Sequence, residues 1–376
     1  MKHIFFYFIT FMFILSSCNK KKIIEEEITT PILSINVNEA NLQTDKPALP
    51  NLRYIKLETK DECLLEDASK VLYYNNKLYI LSTPGKGNVY IFDKEGHFLY
   101  KMNKGEGPED IMYPTDIAIN EEEQKLLVLD MYRNIKEYDL EKGTFLCKKV
   151  IKEPFFSIET IGSDILLFDP NSRSKADFYI RYLSKTKETD LFPKKVKGDF
   201  FSLPNFFTKI SAKETLVSCI FSDTIFYIND THKKLLPYLI LDFQKKSANS
   251  HKNRDEIRGL GQYINNAKEN NLLSGPCDLC FFNNNLFFTL KGKTNYFTTY
   301  NTDKQQILLH KTLFEGLPNI YSSVGRTNEE VIFSIDMPWL LEHFKENPIS
   351  NSPIIKKLNQ ECTNENENPV ILFGSF

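Results

Sequence analysis

From Leu52 to the C-terminus, short apolar runs alternate with polar turns at a recurring spacing. Runs rich in Val, Ile, Leu, Phe and Tyr read as half-buried strands, and the Gly, Asn and Asp clusters between them supply the turns. Asn88 to Leu129 shows the pattern most cleanly. Val89-Tyr90-Ile91-Phe92 is a strand, Asp93-Lys94-Glu95-Gly96 a turn, and His97 to Met102 the return strand. Lys104-Gly105-Glu106-Gly107-Pro108-Glu109-Asp110 then crosses over, and Asp116-Ile117-Ala118-Ile119 with Lys125 to Leu129 begin the same order again.

Extended along the chain, this order predicts units of about forty residues with four strands each. The first has strands near Val71–Tyr74, Lys77–Leu81, Val89–Phe92 and Phe98–Met102, and the second near Asp116–Ile119, Leu126–Asp130, Ile135–Asp139 and Phe145–Val150. The third covers Phe156–Ile161, Ile165–Asp169, Phe178–Leu183 and Thr189–Phe192. A fourth covers Phe207–Ser211, Thr215–Ile220, Thr224–Ile228 and Leu239–Phe243, and a fifth Asp278–Phe282, Leu286–Leu290, Tyr296–Asn301 and Ile307–Thr312. Asn75-Asn76, Gly162-Ser163-Asp164 and Asn283-Asn284-Asn285 fall between the first two strands of their units, where a turn needs residues that tolerate positive φ.

The last unit is irregular, with strands at Tyr321–Val324 and Glu330–Ile335, a helix from Trp339 to Lys345, and a terminal strand at Pro369–Phe373. Pairing that strand with Arg53-Tyr54-Ile55-Lys56-Leu57 would close a ring and remove an exposed sheet edge. The expected fold is therefore all-β: a six-bladed β-propeller over residues 51–376, closed by its N- and C-terminal strands. Residues 244–275 break the pattern and are expected to form a partly helical insertion, with a helix around Glu256 to Leu273.

Aromatic residues at 13%, mostly Phe and Tyr, agree with a β-rich chain. A net charge of -2 lacks the basic footprint that nucleic-acid binding requires, so that partner is set aside. The N-terminus adds an address. Met1-Lys2-His3 is a basic start, Ile4 to Leu15 an apolar run too short to span a bilayer, and Leu15-Ser16-Ser17-Cys18 its small-residue ending. Residues 1–17 read as a signal peptide that ends in a lipobox, with Cys18 as the lipidated residue. Residues 18–50 read as a tether, carrying Lys20-Lys21-Lys22, Glu25-Glu26-Glu27 and an apolar patch at Ile32–Ile35 that would suit a short added strand. The protein is expected at the outer membrane, on its periplasmic or surface face, as a monomer.

Together, the lipobox, the tether, Tyr-Ile-Lys-Leu-Glu-Thr at 54 to 59, Lys-Gly-Glu-Gly-Pro-Glu at 104 to 109 and Asn-Pro-Val-Ile-Leu at 368 to 372 resemble a family of six-bladed β-propeller lipoproteins of anaerobic Gram-negative bacteria. The resemblance spans the mature chain and implies blades similar to those of NHL-repeat propellers, in a family with no general enzymatic activity assigned. Where the family has Gly-Pro-Gly-Glu-Tyr, this chain has Gly107-Pro108-Glu109-Asp110-Ile111, without the second glycine and the aromatic.

Candidate chemistry is sparse. His97, His232, His251, His310 and His343 show no metal-ligand spacing, and Cys277-Asp278-Leu279-Cys280 lacks the second pair that a zinc site needs. Mostly free, buried thiols are expected. The glycines of Lys104–Asp110 do not open a helix after a strand, so they serve a tight reversal rather than a phosphate cradle. No cofactor or metal is expected. Asp116, Asp130, Arg133, Arg254, Arg258 and Trp339, and beyond them Arg173 and Asp223, are the candidate ligand-binding residues near blade edges and in the insertion. The functional expectation is a non-catalytic binding or scaffold module for a glycan, peptide or envelope protein. The alternative is a propeller enzyme of lyase, lactonase or glycosidase type at the central channel.

Overall fold

The computed structural model describes residues 32–34, 42–43, 46–85, 87–169, 177–193, 206–251, 259–348 and 350–376. They form an all-β structure with three helices. Three short strands come first: β1 (Ile32–Ser34), β2 (Leu42–Gln43) and β3 (Asn51–Lys56). Runs of four antiparallel strands follow. The first run is β4 (Lys70–Tyr74), β5 (Lys77–Ser82), β6 (Asn88–Asp93) and β7 (Phe98–Lys101). The second is β8 (Pro114–Asn120), β9 (Lys125–Asp130), β10 (Asn134–Asp139) and β11 (Phe145–Val150). Next come β12 (Ser157–Ile161), β13 (Asp164–Phe168), β14 (Phe178–Leu183) and β15 (Glu188–Pro193). These are followed by β16 (Phe207–Ser211), β17 (Glu214–Val217), β18 (Thr224–Asn229) and β19 (Leu236–Asp242).

After the insertion, which contains α1 (Leu260–Glu269), stand β20 (Cys277–Phe282), β21 (Asn285–Leu290), β22 (Tyr296–Asn301) and β23 (Gln306–His310). The chain ends with β24 (Gly325–Arg326), β25 (Val331–Ile335), α2 (Met337–Glu346), α3 (Pro353–Glu361) and β26 (Val370–Ser375). The final run is completed by β3, which pairs antiparallel with β26 from Asn51↔Ser375 to Lys56↔Val370. A two-residue parallel contact, Gly325↔Val71 and Arg326↔Leu72, joins this run to β4 and makes one eight-stranded sheet.

The turn chemistry read from sequence is present. Asn75, Asn76, Asn283, Asn284 and Gly162 all have positive φ, between 46° and 58°. Three expectations change. The strand expected at Tyr321–Val324 is instead the short β24, because the Gly325 backbone presses on Val71, where an added Cβ would lie 2.0 Å from the carbonyl oxygen. The polar stretch after α2 holds a further helix, α3, which buries Ile355 and Leu358 against the sheet core. The insertion helix begins at Leu260; residues 252–258 lie outside the described set. The added strand that the apolar patch at Ile32–Ile35 would suit is present as β1, which pairs in parallel with the outer strand β19, and β2 pairs likewise with β23. The apolar patch at Ile32 can therefore continue a sheet edge.

Buried Val, Ile, Leu and Phe fill the spaces between neighbouring runs, as with Val89, Ile91, Ile117 and Val128 between the first two. The loop from Lys104 to Asp110 joins those two runs. Gly107 N–H donates to the Asp110 carboxylate (3.2 Å), and an added Cβ on Gly105 would meet that carboxylate at 2.4 Å. Its glycines leave room for a folded loop, as the sequence suggested. Cys63, Cys277, Cys280 and Cys362 are buried free thiols, and Cys147 is exposed on β11.

Candidate functional site

The first strand of each run carries a charged or hydroxyl residue within an otherwise apolar sequence. Lys70 stands on β4, Asp116 on β8, Glu159 and Thr160 on β12, Thr208 and Lys209 on β16, and Arg326 on β24. The apolar neighbours Val71, Ile117, Ile158 and Ile161 are fully buried between sheets. The first strands together border one cavity of about 690 Å³, into which Lys70, Leu72, Ile119, Glu159, Thr208, Lys209, Leu279, Cys280 and Arg326 contribute.

Three cations cross between sheets here. Lys70 Nζ donates to Asp116 Oδ1 at 2.8 Å, and that carboxylate also accepts the N–H groups of Ile117 and Ile158, both at 2.8 Å. Burial pushes the Asp116 carboxyl above the ordinary carboxylate range, while Lys70 and the two N–H groups work to hold its charge. Lys209 Nζ donates to Thr160 Oγ1 (2.7 Å) and to the Ile119 carbonyl (3.0 Å), with Glu159 Oε1 at 3.5 Å. Arg326 donates to the carbonyls of Phe281 (3.1 Å), Thr327 (3.3 Å) and Lys209. Burial opposes its charge and lowers its pKa, yet a guanidinium stays protonated.

The cavity opens among the turns β4–β5, β8–β9 and β24–β25, where Asn75, Glu121, Asn328 and Glu329 stand exposed. Arg53 and Glu330 make a paired contact on this side, with Nε–Oε1 at 2.7 Å and Nη2–Oε2 at 2.6 Å. Antiparallel strands return to the other side of the sheets, which is where most of the described residues singled out from sequence lie. Asp130, only 1% exposed at the end of β9, accepts the N–H groups of Met112 (3.0 Å) and Tyr113 (2.6 Å) and lies 3.3 Å from Lys136 Nζ. It fixes the entry to β8. Arg133 is exposed in the β9–β10 turn, and Trp339 is 41% exposed on α2. Asp223 accepts Ser247 Oγ (2.5 Å) and Asn249 Nδ2 (2.6 Å), tying the insertion to the sheet of β16–β19. Cys18, Arg173, Arg254 and Arg258 lie outside the described residues.

Of the sequence candidates, then, only Asp116 is bonded to a residue that lines the cavity among those described. Lys70, Glu159, Lys209 and Arg326 were missed. For Lys70, Glu159 and Lys209 the signal was a charge in or beside the first, most apolar strand of a unit, where a solvated side chain is not expected; Arg326, beyond the expected Tyr321–Val324 strand, carried none. The Cys277-to-Cys280 segment is chemically quiet: burial pushes the Cys277 thiol up to about 12 and the Cys280 thiol up to about 11, so neither is a ready thiolate. Its backbone bulges at Asp278, whose φ is 55°. Among the described residues, no group of three or more His, Cys, Asp or Glu is arranged to hold a metal ion. No helix among them is long and apolar enough to cross a membrane.

No curated protein matches the chain. Among solved structures it is similar to a Bacteroides fragilis NCTC 9343 protein named only as exported, with 20% identity, a TM-score of 0.75, and coverage of 91% of this chain and 99% of that one. It also matches the Pan2 WD40 domain of Neurospora crassa (9% identity, TM-score 0.43, 82% and 75% covered). A third match is the Cps50 (Swd1) beta-propeller domain of Myceliophteria thermophila (10% identity, TM-score 0.36, 65% and 71% covered). Residues 33–375, which hold both the described sheets and the cavity, match a single family model, and the chain therefore belongs to the family described as Domain of unknown function (DUF4934).

Proposed function

We propose that this chain is a lipid-anchored, non-catalytic binding module of the cell envelope: a six-bladed, NHL-like propeller that holds its ligand in the central cavity. The observation that carries this reading is the cavity bordered by the first strand of every four-strand run. A propeller places its ligand in such a channel or at its mouth. The pairing of β3 with β26 supports closure, since the N-terminal strand completes the last four-strand run as its outermost member. The acids and bases around the channel are engaged in cross-sheet bonds, which suits a rigid recognition surface better than proton transfer. The Leu-Ser-Ser-Cys18 ending supports the lipid anchor, and the solved relative named as exported is consistent with an envelope address. The expected ligand class remains a glycan, a peptide or an envelope protein.

The test is a glycan-array and pull-down screen with the purified chain, repeated with Lys209→Ala and Thr327→Ala variants that alter the cavity. A ligand bound by wild type and weakened by both variants is expected. Retention of a ligand by both variants, or turnover of a substrate at the cavity, overturns the reading.

A further inference from the structure

We infer that the cavity takes a sugar bearing a carboxylate, with the acid seated on Arg326; this rests on the cavity being the binding site proposed above. A guanidinium has five N–H donors and a charge that neutral carbonyls solvate without cancelling. Arg326 spends three donors on backbone carbonyls. Among the described residues, Arg53, Lys70 and Lys209 each have a carboxylate within ion-pair distance and Arg326 has none. Its guanidinium therefore keeps a positive charge with no carboxylate bonded to it, Glu159 and Glu121 acting on it only at longer range, and has donors left for a guest. A carboxylate neutralises that charge and matches the planar fork.

The mouth narrows the class further. Glu121 and Glu329 are exposed on its rim, with Glu330 beside them, so a doubly charged phosphate would meet like charges on entry. The phenols of Tyr73 and Tyr74 and the amides of Asn75 and Asn328 offer ring faces and neutral hydrogen-bonding groups. Those suit the faces and hydroxyls of a sugar ring.

Calorimetric titration of the purified protein with a galactose oligomer that ends in one galacturonate tests the inference, alongside a neutral galactose oligomer of equal length and a peptide with a single glutamate. Galacturonate should bind in a salt-sensitive way, with the neutral oligomer weaker by about tenfold or more. Arg326→Gln should lose affinity by a similar factor while keeping a cooperative melt. Glu329→Gln, on the exposed rim, should tighten galacturonate binding roughly two- to threefold. Equal binding of acidic and neutral sugars removes the carboxylate inference and leaves the channel as a sugar site. Preference for the glutamate peptide overturns the sugar. No binding of any probe by wild type or Glu329→Gln also overturns the inference, whereas the proposed binding function would still stand on a pull-down partner lost in the cavity variants.

Discussion

At the scale of single residues, buried charges divide into those that are matched and those that are left exposed to the interior. Asp278 belongs to the second group. It is 1% exposed, Oδ2 accepts Thr289 Oγ1 at 3.0 Å, Lys291 Nζ lies 3.9 Å away, and Oδ1 has no hydrogen-bond partner. Burial raises its carboxyl to about 6 from an ordinary 3.8. Because the folded state binds this proton more tightly than the unfolded chain, the stabilisation is complete below pH about 4 and is lost as pH rises through about 6. Asp278→Asn, whose amide suits the positive φ, should flatten that part of the profile and raise stability at pH 7 by on the order of 1 kcal/mol. Urea midpoints measured from pH 4 to pH 7.5 check this; parallel profiles for the two proteins would show that Asp278 does not titrate there. Nothing in the sequence marked Asp278 as different from Asp116. Both are aspartates on first strands, and what separates them is which donors other sheets bring near, a long-range matter that local pattern does not encode.

At the scale of elements, most of the fold was legible. Strand after strand in the first five units falls within a few residues of its expected place, because alternation and Asn- or Gly-bearing turns are local properties. The reading failed where tertiary contacts decide. β24 is two residues long because Gly325 must lie against Val71, and α3 is polar on its outer face, so only Ile355 and Leu358 betray it. The site was less legible than the fold. Asp130 looked like a ligand residue and instead caps a loop, whereas Arg326 sits in a segment with no regular pattern at all. Gly325→Ala tests the junction: its Cβ would meet the Val71 carbonyl at 2.0 Å, so the backbones of β24 and β4 must part. A loss of roughly 2 kcal/mol or more is expected, with faster amide exchange around Val71. An unchanged melt would mean that the eight-stranded continuity contributes little.

At the scale of the whole molecule, the N-terminal segment does more than lead into the domain. β1 adds to the outer edge at β19 and β2 to the outer edge at β23 before β3 completes the last run. Two outer edges are thereby covered by the protein's own chain, which guards against edge-to-edge association. If Cys18 carries the proposed lipid, Cys18→Ser should move the protein from the membrane fraction to the soluble fraction without altering its melt; continued membrane residence would refute the anchor. Ile32 pairs with Ile240, opposite Thr224 at the start of β18, so β1 lies at the end of β19 away from the β18–β19 turn and from the cavity mouth. Fourteen residue steps separate Cys18 from Ile32, a leash of at most about 50 Å when fully extended. The body of the protein would then sweep a shell of limited height above the bilayer, and only guests that come within that height of the membrane would be met.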